Sequence, residues 1–132
     1  MEQIYHEATD RTPLVDFNFP EHHLLIQGES YPEDAAAFFG PLLEALRGFV
    51  YTPRAETLVM DLKMSYFNSS SAKALMNMFQ VLETAAAEGN PVEVNWYYHP
   101  DDDAMEEFGE DFSEDFQHAA FHMRPLNDGG AA

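Results

Sequence analysis

Between Tyr66 and Lys73 the chain reads Tyr-Phe-Asn-Ser-Ser-Ser-Ala-Lys: consecutive hydroxyls behind two aromatics and ahead of a lysine. A hydroxyl at the start of a helix can do two kinds of chemistry. Its oxygen can cap the helix by accepting a backbone N–H of the first turn. It can also carry a phosphoryl group, which adds about −1.5 to −2 charge and three acceptor oxygens. Capping needs one side chain, whereas four polar residues stand here in a row. Spacing alone does not choose between the two.

Other reactive constellations are weaker. His22 and His23 are adjacent, so in a strand they face opposite sides and cannot readily share a metal. His118 and His122 stand four apart near the C-terminus, where one helix covering both is not expected. No nucleophile elbow accompanies the serines, and no glycine-rich phosphate loop is present. Glu106, Glu107, Glu110, Asp111, Glu114 and Asp115 lack the ordered spacing of a calcium loop. They read as a solvated face over a phenylalanine stripe, or as a docking surface for a basic partner. No catalytic residue, cofactor or metal is expected. A small metal-dependent hydrolase is the alternative outside the signalling class.

Charge narrows the partners. Twenty-four Asp+Glu against six Lys+Arg give a formal net charge of −18. Such a surface repels phosphate backbones and anionic lipid, so neither nucleic acid nor membrane is an expected partner. There is no cysteine, which excludes disulfides and thiol chemistry. No secretory signal is recognisable and the apolar runs are too short to span a bilayer, so the cytoplasm is the expected location. Aromatics at 14% are too many for a disordered acidic chain, and 132 residues suit one domain. A single domain over 1–132 is expected, with an ordered core over about 9–123 and a flexible tail over 124–132.

The elements that must position the hydroxyl run follow from periodicity. Residues 1–12 read as an irregular lead-in. Leu14 to Phe19 and His23 to Gln27 read as two strands joined by a turn at Pro20-Glu21-His22. Phe38, Phe39, Leu42, Leu43 and Leu46 recur at helical spacing, with Gly40-Pro41 expected to kink or split that helix. Thr57 to Met64 reads as a buried strand, and a second helix as running from about Ser70 to Glu88. Val92, Val94, Trp96 and Tyr98 mark a strand with one buried face. Met105, Phe108, Phe112 and Phe116 stripe an acidic helix, and Phe121 to Met123 suggests an edge strand. Met60, Met64, Met76 and Met78 read as core filler. The order β-β-α-β-α-β-α-β predicts an α/β domain: a mixed sheet of five or six strands with three helices mainly on one face.

Four segments, in order, resemble SiaC-type regulatory phosphoproteins. They are Gly28-Glu29-Ser30-Tyr31-Pro32-Glu33, Tyr66 to Ser71 with Lys73, Val94-Asn95-Trp96-Tyr97-Tyr98, and the acidic stretch from Asp101 to Phe112. The likeness runs from about Thr9 to Phe121. It implies a STAS-like fold related to anti-sigma-factor antagonists. It also implies a cycle in which a cognate Ser/Thr protein kinase phosphorylates the protein and a PP2C-type phosphatase reverses it. The unphosphorylated form would bind an effector, a diguanylate cyclase in cyclic-di-GMP and biofilm signalling; a partner switch of the anti-sigma-factor-antagonist type is the alternative. The family's acceptor maps onto Ser69, here Ser where the pattern has Thr, with Ser70 and Ser71 as chemically equal competitors. Tyr31, Pro32, Tyr66, Phe67, Asn68, Ser70, Ser71 and Lys73 are the expected partner-binding residues.

Overall fold

Residues that alternate in the sequence alternate across a sheet. Val15 and Phe17, Leu24 and Ile26, Leu58, Met60 and Leu62, and Val92, Val94 and Trp96 all turn to one side and are fully buried or nearly so. The computed structural model describes residues 3–50, 52 and 56–126. In chain order they form β1 (Ile4–His6), β2 (Leu14–Asn18), a 3-10 turn (Phe19–Glu21), β3 (His23–Ser30), α1 (Ala35–Val50), β4 (Leu58–Phe67), α2 (Ser69–Ala87), β5 (Val92–Tyr98), α3 (Asp103–Ser113) and β6 (Ala120–Pro125).

The six strands lie in sequence order in one mixed sheet. β1, β2 and β3 pair antiparallel, and β3 through β6 pair parallel. Each parallel step is a crossover through one helix. Because all three crossovers advance in the same direction with the usual right hand, α1, α2 and α3 share one face. This is the mixed α/β architecture that the alternating pattern predicts. The opposite face carries a polar network. His23 Nε2 lies 2.8 Å from Asp61 Oδ2, and Asn95 Nδ2 donates to Asp61 at 2.9 Å and Glu93 at 3.0 Å. Arg124 Nε in turn donates to Asn95 Oδ1 at 2.9 Å.

Several local expectations change. The lead-in holds a short edge strand, Ile4–His6, too brief for any periodic signal. Pro41 lies inside α1, which neither splits nor ends there. The proline is exposed, so the carbonyl it leaves without a donor faces solvent. β4 runs three residues past Met64, so Tyr66 and Phe67 are strand rather than loop. β6 extends to Pro125, past the expected end of the ordered core, and Leu126 N–H donates to Tyr98 O at 2.8 Å. The remainder of the expected tail, 127–132, lies outside the described residues. No helix among the described residues is long and apolar enough to cross a membrane.

Candidate functional site

One extra residue aims the hydroxyl run. Gly28 pairs with Met64 and Glu29 with Tyr66, so Ser65 of β4 has no partner residue on β3. Such a bulge flips the side-chain alternation. Met64 and Phe67, three apart, therefore both turn toward the helices and are buried, while Tyr66 is left half-exposed. Gly28 carries φ +117 at this irregularity, a conformation that side chains disfavour.

Beyond the bulge the chain enters α2, and its four polar residues divide the work. Asn68 is the N-cap: its Oδ1 accepts the Ser71 N–H at 2.9 Å. Ser71 is fully buried, its Oγ 2.8 Å from Ser30 Oγ and donating to Ser30 O at 3.1 Å. The Asn68 N–H donates to that same carbonyl at 3.0 Å. Ser70 is exposed and its hydroxyl reaches Asn68 Oδ1 at 3.4 Å. Ser69 is exposed, opens α2, and its hydroxyl bonds to no described residue. The two exposed serines open onto different grooves. Ser69 edges one of about 290 Å³, floored by Phe67 and Ala72 and walled by Met76 and Phe108. Ser70 edges another of about 370 Å³ between α1 and α2, lined by Phe39 and Leu43. Lys73 borders both grooves and makes no ion pair with a described residue.

Among the described residues four large apolar side chains are markedly exposed: Tyr5 on β1, Tyr66 on β4, Met76 on α2 and Phe108 on α3. Met76 (50% exposed) and Phe108 (39%) line the Ser69 groove, and Tyr66 (50%) stands three residues before Ser69 at the end of β4. Tyr31 adds its ring edge-on to Tyr66 at 5.9 Å, held in place by its N–H on Arg11 O at 2.7 Å. The Phe108 ring sits 4.8 Å from that of Phe67. α3 is fixed by Trp96, whose indole N–H donates to Met105 O at 2.9 Å, and Asp102 caps that helix through Met105 N at 3.1 Å. Burial first, and then Glu106 and Glu110 of α3, raise the Tyr98 hydroxyl above its ordinary 10.0.

Of the residues expected at this surface, Ser69, Ser70, Tyr66 and Lys73 are exposed, and Tyr31 and Pro32 are half-buried. Phe67 and Ser71 are buried, one as the floor of the groove and the other as a hydrogen-bonded hydroxyl, and Asn68 is half-buried. Phe108 and Met76 belong to the surface although they read as part of a core stripe and as core filler. Their signal was positional: Met76 falls beside, not on, the buried series Leu75, Met78, Phe79 and Leu82 of α2.

A bonded cap, an unbonded hydroxyl at the first helical residue and an apolar rim meet at the N-terminus of α2. Residues 6–126 match the family model described as SiaC family regulatory phosphoprotein, and the chain belongs to that family. An uncharacterised protein of Pseudomonas aeruginosa strain UCBPP-PA14 is 32% identical over 115 residues, 87% of this chain and 90% of that one. The crystal structure of apo-SiaC from Pseudomonas aeruginosa superposes with a TM-score of 0.86 at 31% identity, covering 94% of this chain and 99% of that one. A chain in the crystal structure of the diguanylate cyclase SiaD with its activator SiaC, from the same organism, gives 0.84 at 30% identity. It covers 92% of this chain and 99% of that chain.

Proposed function

We propose that this chain is a non-catalytic cytoplasmic switch in which phosphorylation of Ser69 controls docking to an effector, a diguanylate cyclase. The observation that carries the reading is the unbonded Ser69 hydroxyl at the edge of a groove whose exposed apolar walls are Met76 and Phe108. A relative of the same fold described as the activator of a diguanylate cyclase supports the choice of effector. A cognate Ser/Thr kinase adds the phosphate and a PP2C-type phosphatase removes it.

The mechanism is a difference between two environments. In the free protein a phosphate on Ser69 sits at the α2 N-terminus, where no acidic residue occupies the first turn and Lys73 lies one turn on. The helix dipole and the lysine both favour the anion there. In the complex the same phosphate would be pressed between Met76 and Phe108, where a desolvated charge is expensive. Tyr66 and Phe108 act as aromatic anchors, the type that dominates interface energetics.

The test is co-purification from the native host with wild type, Ser69→Asp and Phe108→Ala as baits, with phosphosite mapping of the wild type. The reading expects a cyclase on wild type, its loss on both variants, and phosphate on Ser69. Equal recovery of the same partners by all three baits would overturn it.

A further inference from the structure

Met76 is the one large apolar side chain of the Ser69 groove that is open to chemistry. It is half-exposed, whereas Met60 and Met78 are fully buried, Met64 and Met105 are 5% exposed, and Met123 is partly buried against the core. Ser69, Lys73 and Met76 follow one another at helical spacing on α2, so the thioether and the hydroxyl share a face and border the same groove. Phe108 walls the groove from α3, and its ring stays largely apolar contact surface.

We propose that Met76 is a site of reversible oxidation to methionine sulfoxide, a second input to the docking surface that acts independently of phosphate. The inference rests on the docking reading above. A peroxide supplies the oxidant: the thioether sulfur attacks one peroxide oxygen, the O–O bond breaks, a sulfur–oxygen bond forms, and water leaves. The sulfur is oxidised by two electrons and the peroxide reduced by two. The product places a polar acceptor where the groove offers Phe67, Ala72 and Phe108 as neighbours. Against a partner pressed onto that groove, the acceptor loses water without gaining a donor. Exposure selects the residue, because the buried methionines present no sulfur to the oxidant.

The experiment exposes the folded protein to dilute hydrogen peroxide, maps sulfoxides by peptide mass spectrometry, and measures affinity for the cyclase recovered from the native host. Met76 should oxidise before Met60, Met64, Met78, Met105 and the partly buried Met123, and the affinity should fall about tenfold. Methionine sulfoxide reductase should restore it, and the affinity of Met76→Leu, whatever its untreated value, should not change on exposure to peroxide. The proposal is overturned if Met76 does not oxidise first. It is equally overturned if oxidised wild type binds unchanged, or if Met76→Leu loses the same affinity under peroxide. Should the cyclase fail to bind untreated, unphosphorylated protein, the docking reading itself fails and the regulatory role of Met76 falls with it. The peptide map would still report whether Met76 is the reactive methionine.

Discussion

Ser30 Oγ and Ser71 Oγ lie 2.8 Å apart with no solvent exposure, tying the end of β3 to the first turn of α2. Ser71 donates to the Ser30 carbonyl at 3.1 Å, which leaves the Ser30 hydroxyl to donate to Ser71. The two residues close a small ring of bonds that fixes where α2 begins, and hence where Ser69 points. Ser71→Ala leaves the Ser30 donor buried without its acceptor, at a cost of about 1–3 kcal/mol. Urea unfolding followed through Trp96, the sole tryptophan, reads this directly. Unchanged stability would show that the pair is not structural.

Asn68 and Ser69 are neighbours with opposite roles. Asn68 caps α2 by accepting the Ser71 N–H, and Ser69 bonds to no described residue. Asn68→Ala should cost about 1 kcal/mol, and Ser69→Ala should fall within about 0.5 kcal/mol of wild type. Thermal unfolding of both variants checks the contrast. A larger loss for Ser69→Ala would return Ser69 to a capping role.

Two helical glycines should respond differently to alanine. A Cβ on Gly109 would lie 2.4 Å from Trp96 Cδ1 and 2.8 Å from Met123 Cε, whereas one on Gly40 meets nothing within 4 Å. Gly109→Ala must push α3 off Trp96 and should destabilise by about 1–3 kcal/mol. Gly40→Ala gains helix propensity, but Pro41 follows it, and the proline ring disfavours helical backbone at a residue carrying a Cβ. The two effects oppose, so stability should stay within about 0.5 kcal/mol of wild type. Chemical denaturation of the two variants reads the contrast, with a shift of Trp96 emission expected only for Gly109→Ala.

Glu83 of α2 holds the segment between α3 and β6. Its carboxylate accepts the backbone N–H groups of Gln117 at 3.0 Å, His118 at 3.0 Å and Ala119 at 2.9 Å, and lies 2.9 Å from His118 Nδ1. Burial pushes its pKa up, but the Ala119 N–H, the His118 ring and the other two N–H groups together outweigh it and bring it from 4.5 to about 2. A depressed pKa contributes stability that is complete above 4.5 and is lost as pH falls toward 2. Because the site is open to solvent on one side, screening reduces this contribution to on the order of 1 kcal/mol. Glu83→Gln should lose stability of that order at neutral pH and show a flatter decline between pH 4.5 and 2, measured as urea midpoints against pH. A mutant as steep as wild type would remove Glu83 from the account.

Much of the fold was legible because it is written in short-range periodicity. The alternation of Val92, Val94 and Trp96 and the helical recurrence from Phe38 to Leu46 each name an element and its buried face. β1 was not legible, because three residues with one half-buried position carry no period. Nor was the bulge at Ser65, which exists only in the pairing of β3 with β4 and which carries Tyr66 and Phe67 into the sheet. The site was partly legible. The hydroxyl run announced a helix start, but which serine is buried depends on Ser30, a residue 41 positions away. Phe108 and Met76 look apolar and therefore internal, and only the meeting of α2 and α3 beside β4 turns them outward.

The most direct test of the central claim is calorimetric titration of the native-host cyclase with the unphosphorylated protein and with the same protein stoichiometrically phosphorylated on Ser69. The phosphate should abolish measurable binding while Trp96 fluorescence reports an unchanged fold. Equal affinity for the two forms would contradict the account, leaving Ser69 an exposed helix residue and the apolar ring around it without a switch.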